Sequence, residues 1–317
     1  MAAVATLAFV FSLINASWLA PRPPGELIVV ANRGIALPVD RAALKGGGGC
    51  PAAHILPPGE NPYIENTRPS LYRAVKFGAD AVNVQVARTR DGQMVAFHDD
   101  KLDCRTDGHG PIRALTLAEI KKLDAGWGYT ADGGRTYPFR GKGVGAIPTV
   151  EEVLREIPTA HIVFALNGSD PTEVDALVAA FRRAEVPIDE RFGFQARAAL
   201  AQRLRHLVPG AWVLEEGQGD ACLVDYAQLG WTGFTPASCR NTTIVLTLDG
   251  HWALWGWPYR FLDRMAKANS RVVIRAGIED GEPLGLDQPE QYDKVPADFH
   301  GWLWVDDFWT MGPALRR

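Results

Sequence analysis

Nine short apolar stretches recur along this chain, and most are followed by a run with the spacing of an amphipathic helix. The stretches are Glu26–Ala31, Ala79–Val86, Gln93–His98, His161–Leu166, Arg191–Gln195, Ala211–Glu215, Thr243–Leu248, Arg271–Ala276 and Gly301–Asp306. Strands that alternate with helices call for a parallel sheet covered on both faces. Neither an internal repeat nor a second composition regime divides the chain, and 47% apolar residues suffice for a large core. The economical solution is an α/β fold, a (β/α)8 TIM-type barrel over residues 26–317, preceded by an N-terminal hydrophobic segment. A closed barrel of this kind needs eight strands. Thr243–Leu248 is the expected surplus.

Helix starts are marked as well. Thr116 with Glu119, and Thr149 with Glu152, have capping-box spacing. Asn66-Thr67 opens a run whose apolar face is Leu71, Ala74, Val75 and Phe77. Further helices are expected over 173–184, 196–206 and 258–268. Residues 35–62, with Pro38, Gly46–Gly49 and Pro57-Pro58-Gly59, read as a long loop, and 124–145 as a Gly-rich one.

Several polar residues fall at expected strand ends: Asn32 and Arg33, His98, and Asn167. Asn83 and Gln85 lie two apart, so they share one face of their strand. Any one of these is easily an ordinary hydrogen-bonded strand end. Together they mark the C-terminal mouth of a barrel, because inward-facing polar groups are costly without partners.

The segments that carry these residues have a recognisable order: Ala31-Asn32-Arg33-Gly34, Ile64-Glu65-Asn66-Thr67, Gly78–Val86, Thr89-Arg90-Asp91-Gly92, Val95–Asp99, Leu123–Gly126, Ile147–Leu154 and Trp304–Asp307. In this order and spacing they resemble the glycerophosphodiester phosphodiesterase family over nearly the whole chain after the N-terminal segment. The resemblance implies metal-assisted hydrolysis of a glycerophosphodiester to glycerol 3-phosphate and an alcohol, with Mg²⁺ or Ca²⁺ as cofactor. Two histidines would serve as acid and base, an Arg and a Lys would hold phosphate, and carboxylates would bind the cation.

Carried over residue by residue, the resemblance makes His98 the second catalytic His, Arg33 the phosphate Arg and Glu65 the metal-site acid. Asn32 stands at the position of the first catalytic His. Asn83 and Gln85 stand at the strand-two carboxylates, Ala165 at the fourth-strand carboxylate, and Asn167 at the phosphate-binding Lys. An amide cannot exchange a proton near neutral pH, and losing an acid/base group typically lowers the rate by about 10²–10⁴. Hard cations need oxygen ligands and negative charge. The implied protein is a family barrel with weak or absent cation binding, inactive or strongly impaired, that takes a small phosphodiester or phosphate. The alternatives are an active phosphodiesterase with an unusual metal site through Glu65 and neutral carbonyls, and a non-catalytic binding module, exported or held at a membrane.

Residues 2–20 carry no charge, and Pro21, Pro23 and Pro24 follow. Residues 1–25 therefore read as a signal peptide or membrane anchor with a Pro-rich linker, with a buried N-terminal helix as the alternative. The first two place the protein outside the cytosol or in contact with a membrane through residues 2–20. Cys50, Cys104, Cys222 and Cys239 form an even set that fits an oxidising compartment. Of three connectivities, 50–104 with 222–239 is the simplest, and free buried thiols are the alternative. A formal net charge of -4 provides no basic footprint for nucleic acid. His109, between glycines, reads as a solvated loop residue. Trp252, Trp255 and Trp257 read either as a packed flank or as a seat for lipid.

Overall fold

The structure is a computed structural model that describes residues 9–22, 25–44, 49–250, 254–279 and 282–315. Contacts divide the chain into a larger unit, Val30–Val213 with Val305–Arg317, and a smaller one, Met1–Val29 with Leu214–Trp304.

Strand β1 (Leu27–Asn32), which ends in the larger unit, leads through residues 33–67 to helix α1 (Arg68–Lys76) and strand β2 (Ala81–Arg88). Strand β3 (Met94–Ala96), the short helix α2 (Leu117–Ile120) and α3 (Val150–Glu156) follow. Then come β4 (His161–Leu166), α4 (Thr172–Ala184), β5 (Phe192–Ala196) and α5 (Ala198–Leu207). Strands β1, β2, β4 and β5 are parallel neighbours in that order. Their register sets Asn32 opposite Asn83, Asn83 opposite Val163, and Gln85 opposite Ala165. Residues 81–86 of β2 are all buried, as expected of a parallel strand covered on both faces. Both capping boxes form, at Thr116/Glu119 and Thr149/Glu152.

Strand β6 (Trp212–Glu215) leads into the smaller unit, which holds α6 (Gln218–Leu229), β7 (Thr243–Thr247), α7 (Tyr259–Lys267), β8 (Arg271–Arg275), the hairpin β9 (Gly277–Glu279) and β10 (Glu282–Leu284), and most of β11 (Gly301–Val305). Helix α8 (Phe308–Leu315) returns to the larger unit, where Trp309 packs on Phe77. Strands β7 and β11 both pair parallel with β8. Eight parallel strands, β1, β2, β4–β8 and β11, give the (β/α)8 class expected from sequence.

The surplus strand is not the one expected. Thr243–Thr247 belongs to the main sheet, in register with Arg271–Arg275. The extra strand is β3, which runs antiparallel to β2 with Val86 opposite Ala96. The cause is local: Asp91-Gly92 sits in a tight turn in which Thr89 Oγ1 donates to Asp91 Oδ1 (2.6 Å) and Gly92 takes φ +79°. So short a connection can only fold the chain back on itself. Phe97 N then donates to the carbonyl of Gln85 (2.9 Å), which returns His98 to the level of that residue. Helix α6 had no sequence signal, because a glycine lies in its first turn and its buried side chains are few.

Both disulfides pair as in the simplest connectivity. Cys50–Cys104 lies in the larger unit and Cys222–Cys239 in the smaller. The first joins the 35–62 loop to the segment after His98. These two and the 124–147 loop share a core that includes Leu37, Ile55, Phe97, Leu102, Tyr129 and Phe139. In the smaller unit, Asn15 Nδ2 donates to the Trp231 carbonyl (2.6 Å) and the Phe11 ring lies 4.8 Å from that of Trp231. Buried Arg264 donates to Asn15 Oδ1 (3.1 Å) and the Ile14 carbonyl (3.0 Å). Residues 1–8, 23 and 24, part of the expected signal or anchor, and Trp252 lie outside the described residues. Among those described, no helix is long and apolar enough to cross a membrane.

Candidate active site

The mouth residues of the larger unit are set by backbone that few residues adopt. Arg33 and Asn66 have φ of 63° and 56°. Such conformations cost on the order of 1–3 kcal/mol each and persist only where neighbours enforce them. Here they do: Arg33 N donates to the Asn83 carbonyl, and Asn66 N to the Arg33 carbonyl, both at 2.9 Å. At Gly34 (φ +74°) a Cβ would lie 2.5 Å from Ser70 Oγ, so only glycine fits the turn after β1.

Asn32, Asn83 and Gln85 converge as the sequence indicated, and they form an amide cluster. Gln85 Nε2 donates to Asn83 Oδ1 (2.6 Å) and Asn32 Oδ1 (3.0 Å), and Asn66 Nδ2 donates to Gln85 Oε1 (3.1 Å). Asn83 Nδ2 donates to the Val163 carbonyl (3.1 Å), and Asn32 Nδ2 to Asp306 Oδ1 (2.9 Å). Asp306 also pairs with Arg41 of the 35–62 loop at 3.2 Å. Asn83 and Gln85 are 1% and 6% exposed, so these bonds replace water altogether. Each of the three amide oxygens already accepts an N–H.

Beside this cluster lies a charged one. Glu65 Oε1 meets Arg105 Nη1 at 2.9 Å and its Oε2 meets Arg33 Nη1 at 3.2 Å. Arg105 Nε donates to Asp99 Oδ2 (2.8 Å), and its Nη1 to the Tyr129 hydroxyl (3.1 Å). Asp99 Oδ1 lies 2.6 Å from His98 Nδ1. Burial alone would raise Glu65, but Arg105 and then Arg33 outweigh it and hold the carboxyl below its usual range. Asp99 behaves likewise: burial opposes, while Arg105 and the His98 hydrogen bond hold it well down. Burial, with Glu65, pushes Tyr129 up to about 12. An ionised Asp99 can only accept, so His98 Nδ1 carries the proton and Nε2 is left for acid/base work. Asn167 Nδ2 donates to the His98 carbonyl (3.2 Å), so it supports the His98 backbone.

Arg105 and Asp99 escaped the sequence analysis. The signal was present, since an Arg that follows a Cys beside a His-Asp pair is brought to the site once the 50–104 bridge is assumed. His109 is the solvated residue expected, with a side chain 86% exposed.

The donor set does not suit a hard divalent cation. Three neutral amide oxygens are engaged by N–H donors, Ala165 offers no ligand, and both oxygens of Glu65 face guanidinium groups. Among the described residues, no group of three or more His, Cys, Asp or Glu is arranged to hold a metal. The space around Glu65 and Arg105 is about 10 Å³, room for roughly one water.

Fold and mouth together define a (β/α)8 barrel with a phosphodiesterase-type layout. Residues 49–193 match the Glycerophosphoryl diester phosphodiesterase family. The match is shorter than the resemblance drawn from motifs, leaving Asn32–Gly34 and Trp304–Asp307 outside it. The Bacillus subtilis protein YhdW is 34% identical over 151 residues, 46% of this chain and 57% of that one. A Bacillus subtilis glycerophosphodiester phosphodiesterase is 41% identical over 100 residues, 30% of this chain and 33% of that one. The chain thus spans about half, or less, of the length of these relatives. Among solved structures, the glycerophosphoryl diester phosphodiesterase domain of Mycobacterium tuberculosis Rv2277c superposes with a TM-score of 0.61 at 17% identity, covering 89% of this chain and 97% of that one. An Oleispira antarctica phosphodiesterase in complex with the product sn-glycerol-3-phosphate gives 0.57 at 18%, covering 95% and 100%.

Proposed function

We propose that this chain is a phosphodiester-binding barrel of the glycerophosphodiester phosphodiesterase type in which metal-assisted hydrolysis is lost or strongly impaired. The observation that carries the proposal is the closed amide cluster at Asn32, Asn83 and Gln85, whose oxygens are engaged by neighbouring amides. A cation drawn there would displace those bonds and meet only carboxylates already paired, Asp306 with Arg41 and Glu65 with Arg33 and Arg105. Ligand binding is favoured by what remains: His98 keeps its orienting Asp99 and borders an open cleft. Two disulfides fit an oxidising compartment, and export of the protein is part of the same proposal.

The test is a turnover assay on glycerophosphodiesters with Mg²⁺ or Ca²⁺, run beside calorimetric titration of the same compounds. Binding without turnover is expected. Robust metal-dependent hydrolysis abolished by His98→Ala would show a working enzyme instead, and absence of binding would leave an interaction module.

A further inference from the structure

A second space opens on the other side of His98. It is a cleft of about 340 Å³ at the C-terminal ends of β2, β4 and β5, bordered by His98, Arg88, Arg113, Asn167, Glu173 and Arg197. The axis beside it is filled by the amide and charged clusters, and Arg33 is drawn to Glu65. Glu173 is the unusual group here. Its carboxylate rests on Gly168, where any Cβ would overlap it, and its Oε2 is buried without a hydrogen-bond partner. The charged groups around it are Asp170 before its own helix, Asp99 and Asp100 after β3, Arg88 after β2, Arg113 near α2 and Arg197 after β5, with His98 the other titratable group.

We propose that this cleft, rather than the barrel axis, holds the phosphate of a small phosphodiester, with Arg88 and Arg113 supplying positive charge and Glu173 Oε2 its hydrogen-bonding partner. The inference rests on the phosphodiester reading above and moves the ligand off the axis. Its physical core is charge balance. Asp99 is held by Arg105, and Arg88 and Arg113 act on Glu173 against Asp170 and Asp100. Protonation of Glu173 removes a negative charge from beside Arg88 and Arg113 and adds a hydrogen-bond donor. Burial, with Asp170 and Asp100, pushes Glu173 up to about 7 against the pull of Arg88 and Arg113. Binding of an anion therefore strengthens below neutral pH and weakens above it.

Glycerophosphoglycerol, whose single charge is constant over this range, is the probe, titrated calorimetrically at pH 6 and pH 8. The native chain should bind about tenfold more weakly at pH 8. Glu173→Gln should bind with a much smaller difference between the two, leaving only what His98 contributes, and Arg113→Ala, an exposed position, should lose about tenfold or more at pH 6. Binding that ignores both substitutions but is abolished by Asn32→Ala would put the ligand on the axis, overturning this inference while the proposed function stands. No binding at either pH overturns both.

Discussion

The two halves of the barrel mouth solve the same problem with opposite means. On the axis, Asn32, Asn66, Asn83 and Gln85 satisfy one another as neutral amides. Beside them, Glu65, Asp99, Arg33 and Arg105 satisfy one another as charges. Both halves lie on the same enforced backbone, since Arg33 and Asn66 tie the turn after β1 to β2 and to the charged cluster. A mouth that folds without a cation needs charges that cancel, or none at all. Here one half does each, and Glu173 Oε2 at the neighbouring cleft is buried without a hydrogen-bond partner.

The comparison breaks most visibly if charge is returned to the axis. Asn32→His alone should recover little activity, since no cation is drawn in. Asn83→Glu with Gln85→Asp should restore Mg²⁺ or Ca²⁺ binding without full turnover, because the acid/base partner of His98 is still an amide. All three together, with Asn167→Lys where needed, should give metal-dependent hydrolysis, the histidine contributing about 10²–10⁴ of it. Groups acting as one unit behave in this non-additive way. Steady-state assays with isothermal metal titration check it, and three single variants with additive gains would contradict it.

The axial half was legible in the sequence because β2 is buried throughout and its residues alternate strictly, so Asn83 and Gln85 had to share a face. Of the charged half, Arg33 and Glu65 were named through the resemblance, while Arg105 and Asp99 were not. Arg105 reaches Glu65 only through the fold of the loop after β3, and nothing periodic marks a residue whose partner is 40 positions away. The barrel itself was readable from apolar runs, yet the role of each run was not. Gln93–His98 and Thr243–Leu248 look alike as apolar stretches, and only the length of the preceding connection separates a hairpin strand from a barrel strand. Glu173 read simply as the start of a helix, because its lack of a partner is a property of the packing around it.

A smaller but sharper effect concerns the charged half. Arg105→Gln leaves Glu65 and Asp99 buried with too little positive charge, which should cost about 3–5 kcal/mol at pH 7. The pH sign follows from the two carboxyls, both depressed in the native chain. Their stabilisation is present above their unfolded values and is lost as pH falls through the folded ones. In the variant burial acts unopposed by Arg105, so the carboxyls protonate more readily and the deficit shrinks towards pH 4. Urea unfolding of both proteins at pH 7 and pH 4 measures this. An equal loss at the two values would mean that Arg105 acts through packing alone.

The smallest expected effect is the mirror image on the axis, Gln85→Glu. In the native chain Gln85 Nε2 donates to both Asn83 Oδ1 and Asn32 Oδ1, and Asn66 supplies the only donor to Oε1. A carboxylate there would set an oxygen against two oxygens and leave two buried acceptors unpaired. Neither neighbour can simply turn its amide, because Asn83 Nδ2 is held by the Val163 carbonyl and Asn32 Nδ2 by Asp306. The new carboxyl is therefore held protonated and its folded pKa lies above its unfolded one, opposite to Glu65. Its stability difference from the native chain should be small near pH 4, grow as pH rises through the unfolded value, and level off at about 1–3 kcal/mol. Denaturation of both variants across pH 4 to 8 should then give deficits that grow with pH, that of Arg105→Gln being the larger. A deficit at Gln85→Glu that does not grow with pH would mean that the neutral cluster is no closed network, and a carboxylate at residue 85 that ionises without penalty would point to a cation held there after all.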